Sequence, residues 1–337
     1  MIELQSNISL KSYNTFGLDV TASSFCVIRK KEDLAEIIEK KILKNQPFLI
    51  LGGGSNILLT KDFDGLVVKN EIEGIDVVKE TETDIWITAK SGTIWHELVM
   101  YCVRNNYQGI ENLALIPGTV GAAPIQNIGA YGIEIKDILE NVNVVDLATG
   151  EEQILRAGEC SFGYRDSVFK HHLKNKYFIY SVSVKLKKSG FKFNISYGNI
   201  QEYLENVPIS VERIADAVIA IRTSKLPDPK VLGNAGSFFK NPEILKKNFE
   251  QIQKLYPEIP FYIINDETIK IPAGWLIEQC GFKGKIVGNT GNHTKQSLVI
   301  VNYGNATGVE IWQHAQNVIQ SVKEKFGIQL SPEVNIL

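Results

Sequence analysis

Apolar residues fall on helical spacing in some stretches and in short unbroken runs in others. Residues 31–43 set Leu34, Ile37, Ile38 and Ile42 on one helical face. Short apolar runs at 25–28 and 47–51 flank them, which predicts a strand–helix–strand α/β layer. Further strands are predicted at 66–68, 85–88, 177–186 and 297–302, and helices at 94–105, 208–221, 245–255, from 271 through 280, and 309–326. Residues 142–146 and 151–155 flank Ala148-Thr149-Gly150, a hairpin signal. Pro227, Pro229 and the charges around them break the pattern after 221 and read as a domain joint.

Three stretches stand outside this periodicity. Gly52-Gly53-Gly54-Ser55-Asn56 ends the strand at 47–51. Consecutive glycines let successive amides face one anion. The sequence is neither a Walker loop nor GxGxxG, and the apolar run that follows opens no helix. A phosphate nest and a plain tight hairpin both remain open here.

The second stretch, 113–133, carries no charged residue and includes Pro117, Gly118, Thr119, Gly121, Ala122, Gln126, Asn127, Gly129, Ala130 and Tyr131. Its prolines and glycines rule out a membrane helix. Either it lies against a large flat ligand, its amides and the polar Gln126 and Asn127 meeting a ring edge, or it is a buried small-residue helix with turns.

The third stretch is residues 233–242, in which Ser237 stands among flexible glycines, two phenylalanines and Lys240. A serine there can donate a proton, accept a hydrogen bond or cap a helix. Arg165 lies among aromatics at 160–169, where a guanidinium can stack and hold a carboxylate; pairing with Asp166 is the alternative. Arg222, Lys225, Lys230 and Lys240 gather in sequence near the joint, a local positive charge suited to phosphates or a solvated patch.

Composition narrows the classes. With 337 residues, 44% hydrophobic and 22% charged, the chain has the profile of a globular protein of two or three domains. A net charge of -2 gives no bulk nucleic-acid or membrane signal. The four cysteines are far apart in sequence, so neither a zinc knuckle nor a redox pair is expected, and no metal site. With no signal-peptide pattern and no long apolar run, a cytosolic protein is expected. Serine-hydrolase chemistry is disfavoured, because Ser237 has no GxSxG elbow and no histidine shares its segment.

Taken together, the motifs resemble the UDP-N-acetylenolpyruvoylglucosamine reductase family nearly end to end. The resemblance rests on Asn14-Thr15-Phe16, the 52–56 loop, 116–132, Tyr164-Arg165-Asp166-Ser167, Ser224-Lys225-Leu226-Pro227, residues 236–242 and Pro332-Glu333-Val334. Tyr197-Gly198 resembles the tyrosine loop of the family's longer type; where many members have a basic residue after Pro-Glu-Val, this chain has Asn335.

The resemblance implies a two-subdomain FAD-binding fold of the vanillyl-alcohol-oxidase (PCMH) type with a C-terminal α/β substrate-binding domain. The implied limits are 1–65 joined by a returning strand at 327–337, then 66–226, then 227–326. It implies noncovalent FAD, held by Gly52, Gly53, Gly54, Ser55 and Asn56 at the pyrophosphate and by 117–130 at the ring, with NADPH as hydride donor. No histidine stands in the glycine loop, so no covalent flavin link is expected. It implies Ser237, Arg165 and Glu333 as catalytic residues, and Tyr131, Tyr197, Lys225, Asn241, Tyr262 and Gln296 as substrate contacts. A monomer acting on UDP-N-acetylglucosamine enolpyruvate is expected. The rivals are an FAD oxidase of the same fold acting on a sugar or alcohol, and a degenerate nucleotide-sugar-binding protein.

Overall fold

The computed structural model describes residues 2–44, 46–205 and 207–337. The first helix is Lys31–Glu39, shorter than its apolar spacing predicts. Lys41 turns left-handed at φ 54°, and the Ile42 amide donates to the Ile37 carbonyl at 3.0 Å, which closes the helix early. The helix Val211–Lys225 starts three residues later than expected and runs four further. Ser210 Oγ accepts from the Arg213 amide at 3.2 Å, a side-chain cap that fixes the start. Pro227 then disfavours a helical Leu226.

The chain divides into two compact units: Met1–Ile8, Ala22–Gly53 and Asp64–Ser224 in one, Ser9–Thr21, Gly54–Phe63 and Lys225–Leu337 in the other. In the first unit the strand Phe48–Leu51 pairs in parallel with Phe63–Asn70, Leu49 opposite Val67. Leu34 and Ile37 pack with Cys26, Ile28, Leu66 and Val68. The strand–helix–strand layer is therefore present.

The same unit holds a five-stranded antiparallel sheet, in the order Glu152–Arg156, Leu139–Asp146, Tyr177–Lys187, Asp84–Lys90, Ile75–Glu80. The predicted hairpin is its outer pair, with Val142 opposite Leu155. The helices Trp95–Arg104 and Val211–Lys225 bury Leu98, Val99, Ile214 and Val218 in the core of that sheet. The uncharged stretch at 113–133 is neither one long loop nor one helix. It is a chain of short 3₁₀ turns, Glu111–Leu113, Val120–Ala122 and Pro124–Gln126, followed by the two-residue strand Gly129–Ala130.

In the second unit Gly233–Ser237, Val299–Asn302, Thr290–Asn292 and Ile286–Val287 form one sheet. Glu243–Leu245, Thr268–Lys270 and Tyr262–Ile263 form another. The helix Gly308–Phe326 opens on a capping box between Thr307 and Glu310 and closes on left-handed Gly327. All four cysteines are free thiols, and three are buried. Among the described residues no helix is long and apolar enough to cross a membrane, and no cluster of side chains could hold a metal.

His314 is 2% exposed on the Gly308–Phe326 helix, and its Nε2 lies 2.7 Å from Asn292 Oδ1. The amide oxygen only accepts, so Nε2 carries the proton. Burial, with Lys285 adding to it, lowers the imidazole pKa to about 4. Unfolding returns it to about 6.5, so the unfolded chain binds the extra proton first. The contribution is complete above pH 6.5 and is lost as pH falls towards 4. His314→Gln keeps a donor without the titration. Urea unfolding at pH 7.5 and pH 5.0 should show wild type losing about 2 kcal/mol more than the variant; equal losses would mean His314 is charged when folded.

Candidate active site

The two glycine-rich stretches that the sequence separates meet in the first unit. A Cβ on Gly52 would stand 2.4 Å from Thr119 Oγ1, and one on Gly53 would stand 3.0 Å from Gly118 Cα. Glycine at these positions lets the loop lie directly on the Thr119 side chain and the Gly118 backbone. The second loop is fixed from behind: Trp95 N donates to Gly118 O at 3.0 Å, and Gly121 N donates to Ser91 O at 2.9 Å. His96 Nδ1 accepts from the amide of left-handed Leu115 at 3.0 Å, so His96 serves packing. Among the described residues, the successive amides of Gly53, Gly54 and Ser55 donate to no backbone carbonyl. A run of unspent amides at a glycine turn suits an anion.

Arg165 sits in a tight turn closed by Gly163 and Asp166, whose backbones exchange bonds of 3.0 and 3.3 Å. Its φ of 54° is rare for a long side chain. Its guanidinium donates to Gly129 O at 2.8 Å and reaches Asn127 O at 3.5 Å. The buried Asn127 side chain joins the segment of Arg165 to the one beside those carbonyls. Asn127 Nδ2 donates to Glu134 Oε2 and to Gly163 O, each at 2.9 Å, while its Oδ1 accepts from Lys136 N at 3.2 Å. The expected ring-reading amide is thus engaged within the protein, binding together the two segments that carry Arg165 and Gly129. Asp166 pairs with His171 at 2.8 Å.

Arg222, grouped by sequence with the lysines of the joint, belongs instead to the first unit. Its Nε is buried and has no hydrogen-bond partner among the described residues. Burial pulls its pKa below the usual arginine value; Tyr131 and Arg165 lie within electrostatic reach, and Arg165 adds to the lowering. Two guanidiniums within reach of one another favour an anion beside them.

In the second unit, Ser237 pairs with Val299 and is followed by the fully buried Phe238 and Phe239. Beyond it the chain runs antiparallel to the C-terminal segment. Glu333 N donates to Phe238 O at 2.8 Å, and Lys240 N donates to Ser331 O at 2.9 Å. Ser237 and Glu333 are distant in sequence, yet the same backbone pairing brings their segments side by side. Asn56 completes the arrangement: its Nδ2 donates to Glu333 O at 3.3 Å, and its own carbonyl accepts from Asn335 N at 3.0 Å. Glu333 lies just ahead of the short strand Asn335–Ile336, which pairs in parallel with Ile57–Leu58. Asn241 Oδ1 accepts from Ala273 N at 2.8 Å, and Gln296 Oε1 accepts from Leu298 N at 3.3 Å. Tyr262 is exposed on the strand Tyr262–Ile263, and Lys225 is exposed at the end of its helix.

Residues 22–156 match the model of an FAD binding domain, and residues 228–337 match the C-terminal domain of UDP-N-acetylenolpyruvoylglucosamine reductase. A curated relative of that name from Flavobacterium johnsoniae is 49% identical, the match covering the whole of both chains. One from Amoebophilus asiaticus is 46% identical, again over both whole chains. This chain belongs to the UDP-N-acetylenolpyruvoylglucosamine reductase family. The crystal structure of the Thermus caldophilus enzyme of that name superposes with a TM-score of 0.70 at 24% identity, covering 100% of this chain and 99% of that one. A 4-ethylphenol oxidase from Gulosibacter chungangensis matches with a TM-score of 0.52 at 12% identity, over 97% of this chain and 84% of its own. The fold is therefore the FAD-binding type shared by these flavoproteins. Within the first unit, the close packing of Gly52 and Gly53 on the 118–119 loop fits a dinucleotide cofactor.

Three features of the two units have no signature in the sequence pattern: in the second, the tether from Asn56 to Glu333; in the first, the role of Asn127 as an internal clamp and the buried Nε of Arg222. Each depends on pairings between distant segments. Asn127→Asp keeps shape and tolerates the left-handed φ of 45°. It replaces a shared donor by a carboxylate facing Glu134 and a carbonyl. Thermal and urea unfolding should show a loss of about 3 kcal/mol; a change below about 0.5 kcal/mol would mean that the clamp holds nothing.

Proposed function

We propose that the protein reduces UDP-N-acetylglucosamine enolpyruvate to UDP-N-acetylmuramate with NADPH, a step in supplying peptidoglycan precursors in the cytoplasm, and that it works as a monomer. Family membership supports the reaction class. The single structural observation that supports it most is the seating of the Ser237 segment against the Glu333 segment.

FAD, when bound, supplies a carrier that accepts hydride from NADPH and delivers it to the methylene carbon of the enolpyruvyl group. Everything else is the work of side chains. The substrate double bond is conjugated to a carboxylate, so hydride arrival moves more negative charge onto an existing anion. Arg165 offsets that charge as a fixed cation, its guanidinium aimed by two backbone carbonyls. Ser237 Oγ gives a proton to the alpha carbon; serine is a weak acid, but an enolate is a strong base. Glu333 acts as a proton or hydrogen-bond donor, since a second bare carboxylate would repel the intermediate.

Gly52, Gly53, Gly54, Ser55 and Asn56 are assigned to the cofactor pyrophosphate, and the backbone of 117–130 to its ring. Lys225 is assigned to the substrate diphosphate. Tyr131, Tyr197, Asn241, Tyr262 and Gln296 are assigned as further substrate contacts, with the segment 227–326 as the domain that binds the nucleotide sugar.

The visible spectrum of the purified protein tests the proposal. It should show oxidised flavin that bleaches on adding NADPH and recovers when the enolpyruvyl nucleotide is added without oxygen. Protein that stays colourless with added FAD, or reduced flavin recovered by oxygen and not by the enolpyruvyl sugar, would overturn it.

A further inference from the structure

Asn112 is 1% exposed and lies in the 3₁₀ turn Glu111–Leu113. Its Nδ2 carries two hydrogens, and both are used. One goes to Tyr131 O at 2.9 Å and the other to Asn194 O at 2.7 Å. These acceptors belong to two segments far apart in sequence. The turn itself is fixed: the amide of Gly109 donates to the buried Glu111 Oε2 at 2.6 Å.

The two segments are locked to one another at the same place. Asn194 Nδ2 donates to Gly132 O at 3.0 Å. A Cβ on Gly132 would stand 2.5 Å from that nitrogen, and a Cβ on Gly198 would stand 2.7 Å from the Tyr131 ring. Tyr131 is held at φ 50°, an uncommon backbone state for an aromatic residue. Its ring meets Tyr197 edge to face, with centroids 6.4 Å apart at 88°. Strain of this kind persists only where surrounding contacts over-determine it. Here one buried amide supplies two of those contacts, one to each segment.

We infer that Asn112 is a positioning residue that fixes Tyr131 and the loop carrying Tyr197 in one register, and so sets the affinity for the nucleotide sugar without touching it. The inference rests on the assignment of both tyrosines to substrate. Asparagine suits the task because it offers two parallel donors to two carbonyls; the isosteric aspartate offers none.

The test uses FAD-loaded protein and Asn112→Asp. Two independent readouts are taken. Tryptic cleavage at the exposed Lys192, within the held segment, should speed up about tenfold as the loop releases. KM for the enolpyruvyl nucleotide should rise about tenfold, while kcat and the rate of flavin bleaching by NADPH change less than about twofold. In a Tyr197→Ala background the KM effect of Asn112→Asp should shrink to the part carried by Tyr131, because the loop has lost its ring. Should Asn112→Asp fail to fold, Asn194→Ala removes the parallel bond from the exposed side, and its KM should rise about threefold with unchanged melting temperature.

Unchanged cleavage at Lys192 would overturn the latch. So would a KM effect that persists undiminished without the Tyr197 ring, or a fall in kcat with KM unchanged. Faster cleavage in a protein whose wild type leaves the enolpyruvyl sugar unreduced would uphold the latch and overturn the assigned reaction.

Discussion

A single short backbone pairing organises the segments of the second unit that carry Ser237 and Glu333. The Phe238 carbonyl takes the Glu333 amide, and Ser331 takes the Lys240 amide. Without this pairing, Glu333 is a loop residue almost a hundred positions from the strand that ends at Ser237. With it, each is held by a buried neighbour: Phe238 and Phe239 anchor one strand of the pair, and Val334 anchors the other. Asn56 ties the same C-terminal segment to the end of the first glycine loop. The unit therefore couples the end of its glycine turn to the segments of Ser237 and Glu333 by hydrogen bonds, and sheet pairing of this kind leaves little freedom of register.

The first unit solves a different problem, how to hold a guanidinium in one place. The structure gives Arg165 carbonyl acceptors, Gly129 O and Asn127 O. Carbonyl acceptors fix the direction in which a guanidinium points. Asn127 stabilises that geometry from inside by binding Glu134 and Gly163 together. Arg222 lies within electrostatic reach of Arg165 and adds positive potential there. Such preorganised charge acts on a developing anion without reorganisation cost.

Much of the architecture was legible in the sequence because it is local. The 142–155 hairpin follows from Ala148-Thr149-Gly150 between apolar runs, and the helices at 95–104 and 308–326 follow from their spacing. The motif blocks carried the family and the FAD-binding fold. Boundaries failed where a side chain or a backbone twist decided them: left-handed Lys41 shortened one helix, and the Ser210 cap delayed another. The 113–133 stretch was legible as unusual but not as a series of 3₁₀ turns, because prolines and small residues carry no period. Asn112 gave no signal at all. It stands in an uncharged run, and its meaning lies in two carbonyls contributed by distant segments.

The central claim is that Ser237 delivers the proton that completes reduction, and stopped-flow measurement of Ser237→Ala tests it most directly. With the two half-reactions followed separately and without oxygen, NADPH should bleach the flavin at the wild-type rate. Recovery with the enolpyruvyl nucleotide should slow on the order of a thousandfold. Equal slowing of both halves, or recovery at the wild-type rate, would contradict the account.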